Sequence, residues 1–399
     1  LLTLIVSALG YFVDVFDLLL FLMARVKSLK DLGVSGPDLL SDGIWLLNLQ
    51  QAGLLLGGVV WGVLGDKRGR VSVLFGSIIL YSLGSFASGF VTNVPMYALL
   101  RFITGFGLAG ELGVCITLVS ELLPQATRGL GTMFVTAIGL LGAVAAALVI
   151  DVVGWREAYM IGGLLGFLLL ALRVKLRESG LYNKAAEESA RIKRGSLLMF
   201  FKKPGLLRRY AAVVLIGTPI WVVMALFISF APEFARDFGS TEEVVVSKGL
   251  IYWNAGGALA SILISLLSQL LSSRRQAVAI SLLIFAGVIA FFLYQQPILA
   301  TSYYGFIGLM SIGVGYWPMM VQMGAEQFGT NLRATAATSI PNVVRAMAIP
   351  ATLIFQELTP VLGVTRSGAA VTGLSIVLAF VALFFIKDTF HTDLDYTEK

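Results

Sequence analysis

Runs of about twenty mostly apolar residues, the length a helix needs to cross a bilayer, recur along the whole chain. Nothing else constrains its fold as much. Twelve can be placed, near residues 1–23, 43–64, 71–92, 96–119, 129–150, 157–173, 210–231, 248–270, 276–294, 299–323, 334–358 and 365–386. Only 13% of the residues are charged, against roughly 25% in soluble domains. The expected fold is all-α, with twelve membrane-spanning helices. The first run starts at once, so a short segment is expected to precede Leu1, and the run is long enough to stay as a span.

Charge gives the orientation. With the N-terminus inside, the inner loops and tail hold 20 of the 29 Lys and Arg residues, and the outer segments hold seven. Both termini are therefore expected in the cytoplasm, with a bacterial inner membrane as the expected location. The net charge of +6 then reads as a topology signal facing anionic headgroups, and nucleic acid is not an expected partner. The single cysteine, Cys115, excludes a disulfide framework or a cysteine-built zinc site, and the single histidine, His391, sits in a polar tail. No phosphate-binding loop of the form G-x-x-x-x-G-K-S/T occurs. Neither an enzyme nor a cofactor or metal is expected. The expected partners are the lipid bilayer, a small-molecule substrate and protons, and the protein is expected to be monomeric.

Residues 173–209 are long, polar and basic, and separate six spans from six. This divides the chain into a bundle over 1–172, a cytoplasmic linker over 173–209, a second bundle over 210–386 and a tail over 387–399. The bundles share an internal repeat. Adding 205 to the loops "GDKRGR" (65–70) and "ELLPQATRG" (121–129) lands on "LLSSRR" and "EQFGTNLRA". Glu121 and Arg128 map onto Glu326 and Arg333, and Arg70 onto Arg275. Such repeats are expected of carriers that bind cargo between two halves.

"GVLGDKRGR" (62–70) resembles the loop between the second and third spans of the major facilitator superfamily, G-x-x-x-D-R/K-x-G-R, and the resemblance extends over essentially the whole chain. It implies two pseudo-symmetric six-helix bundles. In that loop Gly65 permits a tight turn, while Asp66 at a helix end can pair with a cation or a helix N-terminus. Gly65, Asp66, Arg70, Glu121, Arg128, Glu326 and Arg333 are the candidate gating residues. The second copy lacks the Asp and the Gly, so an asymmetric latch is expected.

Charges inside the spans are costly, roughly 2.5–3.5 kcal/mol each at the bilayer centre, and few are kept. Asp14 and Asp17 lie one turn apart in the first span, Arg101 and Glu111 in the fourth, and Arg345 in the eleventh. At 1.5 Å per residue, Asp17 and Arg101 lie at matching depth, so an ion pair that breaks on protonation is expected between them. "DVFD" (14–17), "RFITGFGLAGE" (101–111) and "LRATAATSIPNVVRAMAIP" (332–350) resemble the organic-acid and phosphate proton symporters of the superfamily. This implies Asp14, Asp17, Arg101 and Glu111 as proton-coupling residues and Arg345 as an anion holder. Static pairing is the rival reading for each.

Pro341 and Pro350 are expected to break the eleventh span on either side of Arg345. Tyr11, Asn48, Gln51, Trp221, Trp253, Asn254, Tyr316, Trp317, Gln322 and Asn342 complete the candidate lining, with plain packing as the alternative for each. The function expected from all this is proton-coupled import of a small organic anion by alternating access. A proton-linked exporter and a neutral sugar or polyol symporter stand as alternatives.

Overall fold

The computed structural model describes residues 2–68, 70–111, 128–173, 203–294, 299–328 and 330–390. Regular structure among them is helical throughout. Helices α1 (Leu2–Asp31), α2 (Asp38–Arg68), α3 (Arg70–Ser88), α4 (Val94–Leu108), α5 (Arg128–Val153) and α6 (Trp155–Arg173) precede the basic stretch. After it come α7 (Pro204–Val223), a π-helical turn (Met224–Ile228), α8 (Ala231–Asp237), α9 (Val246–Leu271), α10 (Arg274–Tyr294) and α11 (Ala300–Val314). The series ends with α12 (Trp317–Glu326), α13 (Thr330–Ala346), α14 (Ala348–Leu362) and α15 (Val364–Leu383).

Each expected span contains one or two of these helices. Among the described residues, eight helical stretches are long and apolar enough to cross a membrane by themselves, and three shorter apolar ones match the third, fourth and fifth spans. The eleventh falls short because it is interrupted. Pro341 lies inside α13 without ending it, and the interruption is a single residue, Met347, between α13 and α14. The cause is Pro350, which has no N–H to give to the carbonyl of Ala346; the helix restarts with this proline in its first turn, where proline is tolerated. One break after Arg345 therefore replaces the two expected.

The chain divides into two compact units, Leu1–Ser196 and Leu197–Lys399. In the first, α1 packs on α5 and α6, α2 on α4, and α3 on α4 and α6. In the second, α7 is the central element, packed on α12, α13 and α15, while α9 and α10 pack on α11. Helix boundaries differ from the expected bundle limits on both sides of the linker. Arg173 is the buried last residue of α6, and α7 starts at Pro204, whose preset φ suits the first helical turn. Leucines such as Leu148, Leu168, Leu266 and Leu270 point outward, as a surface bathed in hydrocarbon requires.

Small residues set how closely the helices approach. At Gly105 of α4 a Cβ would strike the backbone carbonyl of Gln50 on α2, so those two helices touch main chain to main chain.

Candidate functional site

α1 carries Asp14 and Asp17 into the interior of the first unit, where both are fully buried. The Ser85 hydroxyl of α3 donates to Asp17 Oδ1 at 2.7 Å, and Asp17 Oδ2 has no hydrogen-bond partner. The same hydroxyl lies 3.3 Å from the Tyr159 carbonyl of α6, so its one hydrogen has two possible acceptors. α6 can come this close because residue 162 is glycine; a Cβ there would collide with Asp17 Oδ1 and sit 3.1 Å from the Phe16 ring.

Arg101 of α4 is equally buried. Its Nη2 donates to Ser88 at 2.5 Å and to Thr104 at 3.3 Å. Its guanidinium carbon lies 4.4 Å from the centre of the Tyr159 ring and 5.6 Å from that of Tyr97, and the two tyrosine hydroxyls are 2.6 Å apart. The direct Asp17–Arg101 pair expected from their depths is not formed. Two aromatic faces stabilise the cation and Ser85 takes the carboxylate, so Tyr159 and Ser85 stand between the charges. Asp17 Oδ2 and Arg101 Nε and Nη1 make no hydrogen bond. A buried polar group left so costs about 1–3 kcal/mol, which packing stability alone would not select.

Glu111 is bound in bidentate fashion by Arg173 of α6, with Nη1 3.0 Å from Oε2 and Nη2 on Oε1, both side chains buried. Sequence reasoning grouped Arg173 with the basic linker, because the polar run that follows masks a helix end. Gly10 makes room for the pair, since a Cβ there would strike Arg173 Nη2 and Glu111 Oε1. Tyr11 is buried against Gly139 of α5, Gln51 is buried with a partnerless Oε1, and Asn48 is half-buried.

In the second unit three predicted residues come together at irregular backbone. Arg345 lies in the last turn of α13, two residues before the Met347 interruption. Its guanidinium carbon is 5.3 Å from the Trp221 ring centre, and Trp221 meets Trp317 edge to face at 6.3 Å. Trp221 lies between Pro219, inside α7, and the π turn that begins at Met224. Trp317 opens α12 just after the tenth span breaks at Gly315 and Tyr316. Interrupted helices in a membrane free backbone groups, and these are tolerated where they are buried in protein or line a cavity. Among the described residues no carboxylate pairs with Arg345, and its Nε makes no hydrogen bond. Asn342, one turn earlier, is buried.

The other lining candidates lie apart from this cluster. The Tyr316 hydroxyl donates to the Ile216 carbonyl at 2.7 Å, a packing bond inside the unit. Asn254 bonds to Leu250 of its own helix at 2.8 Å, and Trp253 is half-buried beside it. Gln322 donates to Glu326 at 3.2 Å, and Glu326 pairs with Arg274 at the start of α10. Of the remaining gating candidates, Glu121 lies outside the described residues, and Gly65, Asp66, Arg70, Arg128 and Arg333 are described as helical backbone only. Sequence reasoning missed Arg173, Ser85, Ser88, Tyr97 and Tyr159. The serines could have been found from the helical spacing of polar residues in "SIILYSLGSFAS" (77–88).

An all-helical frame of apolar spans with buried charge in each unit narrows the field, and one match decides it: residues 5–351 fit the family model described as Major Facilitator Superfamily. The chain belongs to the major facilitator superfamily. Within that superfamily it is 26% identical to a sialic acid transporter of Escherichia coli over 94% of this chain and 89% of that one. It is 33% identical to a putative niacin/nicotinamide transporter of Bacillus subtilis, and that match spans 44% of each chain. A 4-hydroxybenzoate transporter of Pseudomonas putida is 29% identical over 53% of this chain and 54% of its own length. The crystal structure of a D-xylose-proton symporter shares the major facilitator fold, with a TM-score of 0.70 at 17% identity over 97% of this chain and 98% of that one.

Proposed function

We propose that the chain is a secondary transporter that imports a small organic anion together with protons by alternating access. The observation that carries this reading is Arg345: a buried guanidinium stacked on Trp221, beside a helix interruption, with no carboxylate pairing it among the described residues. Such a group suits an anionic ligand, since a planar guanidinium forms two parallel bonds to a carboxylate. Trp221 and Trp317 supply flat apolar surface for an aromatic or planar body. The relatives named for niacin, 4-hydroxybenzoate and sialic acid support a carboxylate as cargo. Asp17 supplies the proton site, buried with one oxygen partnerless, and Arg101 supplies a nearby cation that responds to its charge. The protein acts in the bacterial inner membrane with both termini in the cytoplasm.

The test is uptake of nicotinate, 4-hydroxybenzoate and sialic acid by the purified protein in liposomes, with and without an inward proton gradient. At least one is expected to accumulate only with the gradient. Asp17→Asn is expected to abolish gradient-driven uptake and to retain counterflow; equal loss of both sinks the coupling role. Arg345→Lys is expected to weaken binding by at least about tenfold, because a point charge replaces a planar fork; unchanged affinity removes the anion assignment.

A further inference from the structure

Five hydroxyls of α3 are shut off from solvent inside the first unit: Ser77, Tyr81, Ser82, Ser85 and Ser88. Four of them recur at helical spacing along one face, and Ser82 flanks them on the side that meets α6. Contacts fix their order. Ser88 is at Arg101 and Ser85 is at Asp17. Next come Tyr81 and Ser82 against Gly166 of α6, where a Cβ would sit 3.0 Å from the Tyr81 ring and 3.1 Å from Ser82 Cβ. Arg173, holding Glu111, lies two turns further along α6. Tyr81 also packs on Gly107, one turn before Glu111, where a Cβ would sit 2.7 Å from the Tyr81 Cβ. Tyr81 and Ser82 thus occupy the interval between two buried acids, one turn of α3, about 6 Å, from Ser85. Neither of their oxygens has a hydrogen-bond partner, and nor does Asp17 Oδ2.

We propose that Ser85, Ser82 and Tyr81, with ordered water bridging them, form a proton path inside the first unit that joins Asp17 to Glu111. This rests on the proton-coupled reading above and extends it with residues that reading does not use. A hydroxyl both donates and accepts. Each oxygen takes one proton and passes on its own, so every hydroxyl is regenerated with its hydrogen bond turned round, to swing back before the next transfer, and one proton has moved from the Asp17 carboxyl to the Glu111 carboxylate. Glu111 is then neutral beside Arg173, and losing its proton to water restores the ion pair. Ser85 can leave Asp17 because the Tyr159 carbonyl offers its hydrogen a second acceptor. Buried polar groups of this kind are where ordered water binds.

Among the described residues, these charged groups lie on the elements packed around the path, with Arg156 and Glu157 at the start of α6. Arg101 and Glu111 face it from the α4 side, Tyr159 and Arg173 from α6, and Asp14 from α1 itself. α5 offers Asp151, which pairs with Lys27 at the surface, and α2 offers the uncharged amides of Gln50 and Gln51 together with Asp38 and Asp42 at its far end. Arg25 is buried near the other end of α1, where it donates to the Leu39 carbonyl.

The experiment needs no substrate. The purified protein in lipid is taken through a pH jump within the range of about 4 to 9, and the carbonyl infrared band absent from Asp17→Asn is followed in time. Tyr81→Phe removes an oxygen that holds no other part of the protein, so the fold is retained; Ser82→Ala is the second variant. Both are expected to keep the equilibrium titration of Asp17 and to slow its approach by at least about tenfold. A wild-type rate in both variants overturns the path alone. An Asp17 band that never titrates overturns the path and the coupling reading together.

Discussion

Arg173 and Glu111 form a pair whose worth depends on both members being present. Removing one leaves a buried, uncompensated charge, which costs about 3–5 kcal/mol, whereas replacing both with apolar groups is often neutral. Arg173→Leu is therefore expected to lower unfolding stability in detergent by that amount, and Glu111→Leu combined with Arg173→Leu to recover most of it. At this scale the sequence was readable where a charge interrupts an apolar run, as at Asp14, Asp17, Arg101 and Arg345. It was silent about partners. Nothing in the string says that the Ser85 hydroxyl and the Tyr159 ring, and not the opposite charge, would receive Asp17 and Arg101, since that choice is made by how close Gly162 lets α6 approach.

At the level of elements, three of the helices that hold the Arg345 cluster are imperfect. Proline lies at each of these places in the sequence, as Pro219, Pro318, and Pro341 with Pro350, but its effect depends on where a helix begins. Pro341 is carried inside α13, while Pro350 separates α13 from α14. Pro350→Ala restores an N–H that can reach the Ala346 carbonyl. The variant is expected to gain about 1 kcal/mol of stability, the net worth of one hydrogen bond, and to bind less well whichever of the three test acids the wild type binds, as the backbone beside Arg345 straightens. Paired thermal-unfolding and ligand-binding measurements would show the trade. Within Met224–Ile228 itself the π turn had no comparable mark, because a widened turn arises from packing and has no residue code.

Taken whole, the molecule has two helical units that differ in chemistry. Among the described residues the buried carboxylates of the spans, Asp14, Asp17 and Glu111, all belong to the first unit, and the second keeps Arg345 in a span and Glu326 at a helix end. In the second unit the tail meets the start of α10: Asp388 accepts from the Arg274 amide at 3.3 Å and from the Ser273 hydroxyl. Partial burial pushes the Asp388 carboxyl up, but the hydrogen bonds from Ser273 and from the Phe390 and Arg274 amides outweigh it and hold the group below the usual carboxylate range. Its anchoring is thus complete above the unfolded-state value, about 3.9, and fades as pH falls through the lower folded value. Asp388→Asn is expected to loosen residues 386–390 at neutral pH and to lose the acid dependence, as protease protection across a pH series would reveal. The twelve-span frame was legible because the bilayer fixes a length. A tail contact over more than a hundred residues was not, because no local pattern encodes it.

One consequence of the Trp221–Arg345 stack is optical. A cation resting on an indole alters that chromophore's emission, so cargo that draws the guanidinium away changes the brightness of a single native fluorophore. Trp317→Phe would remove the adjacent indole and simplify the signal, giving a label-free reading of occupancy.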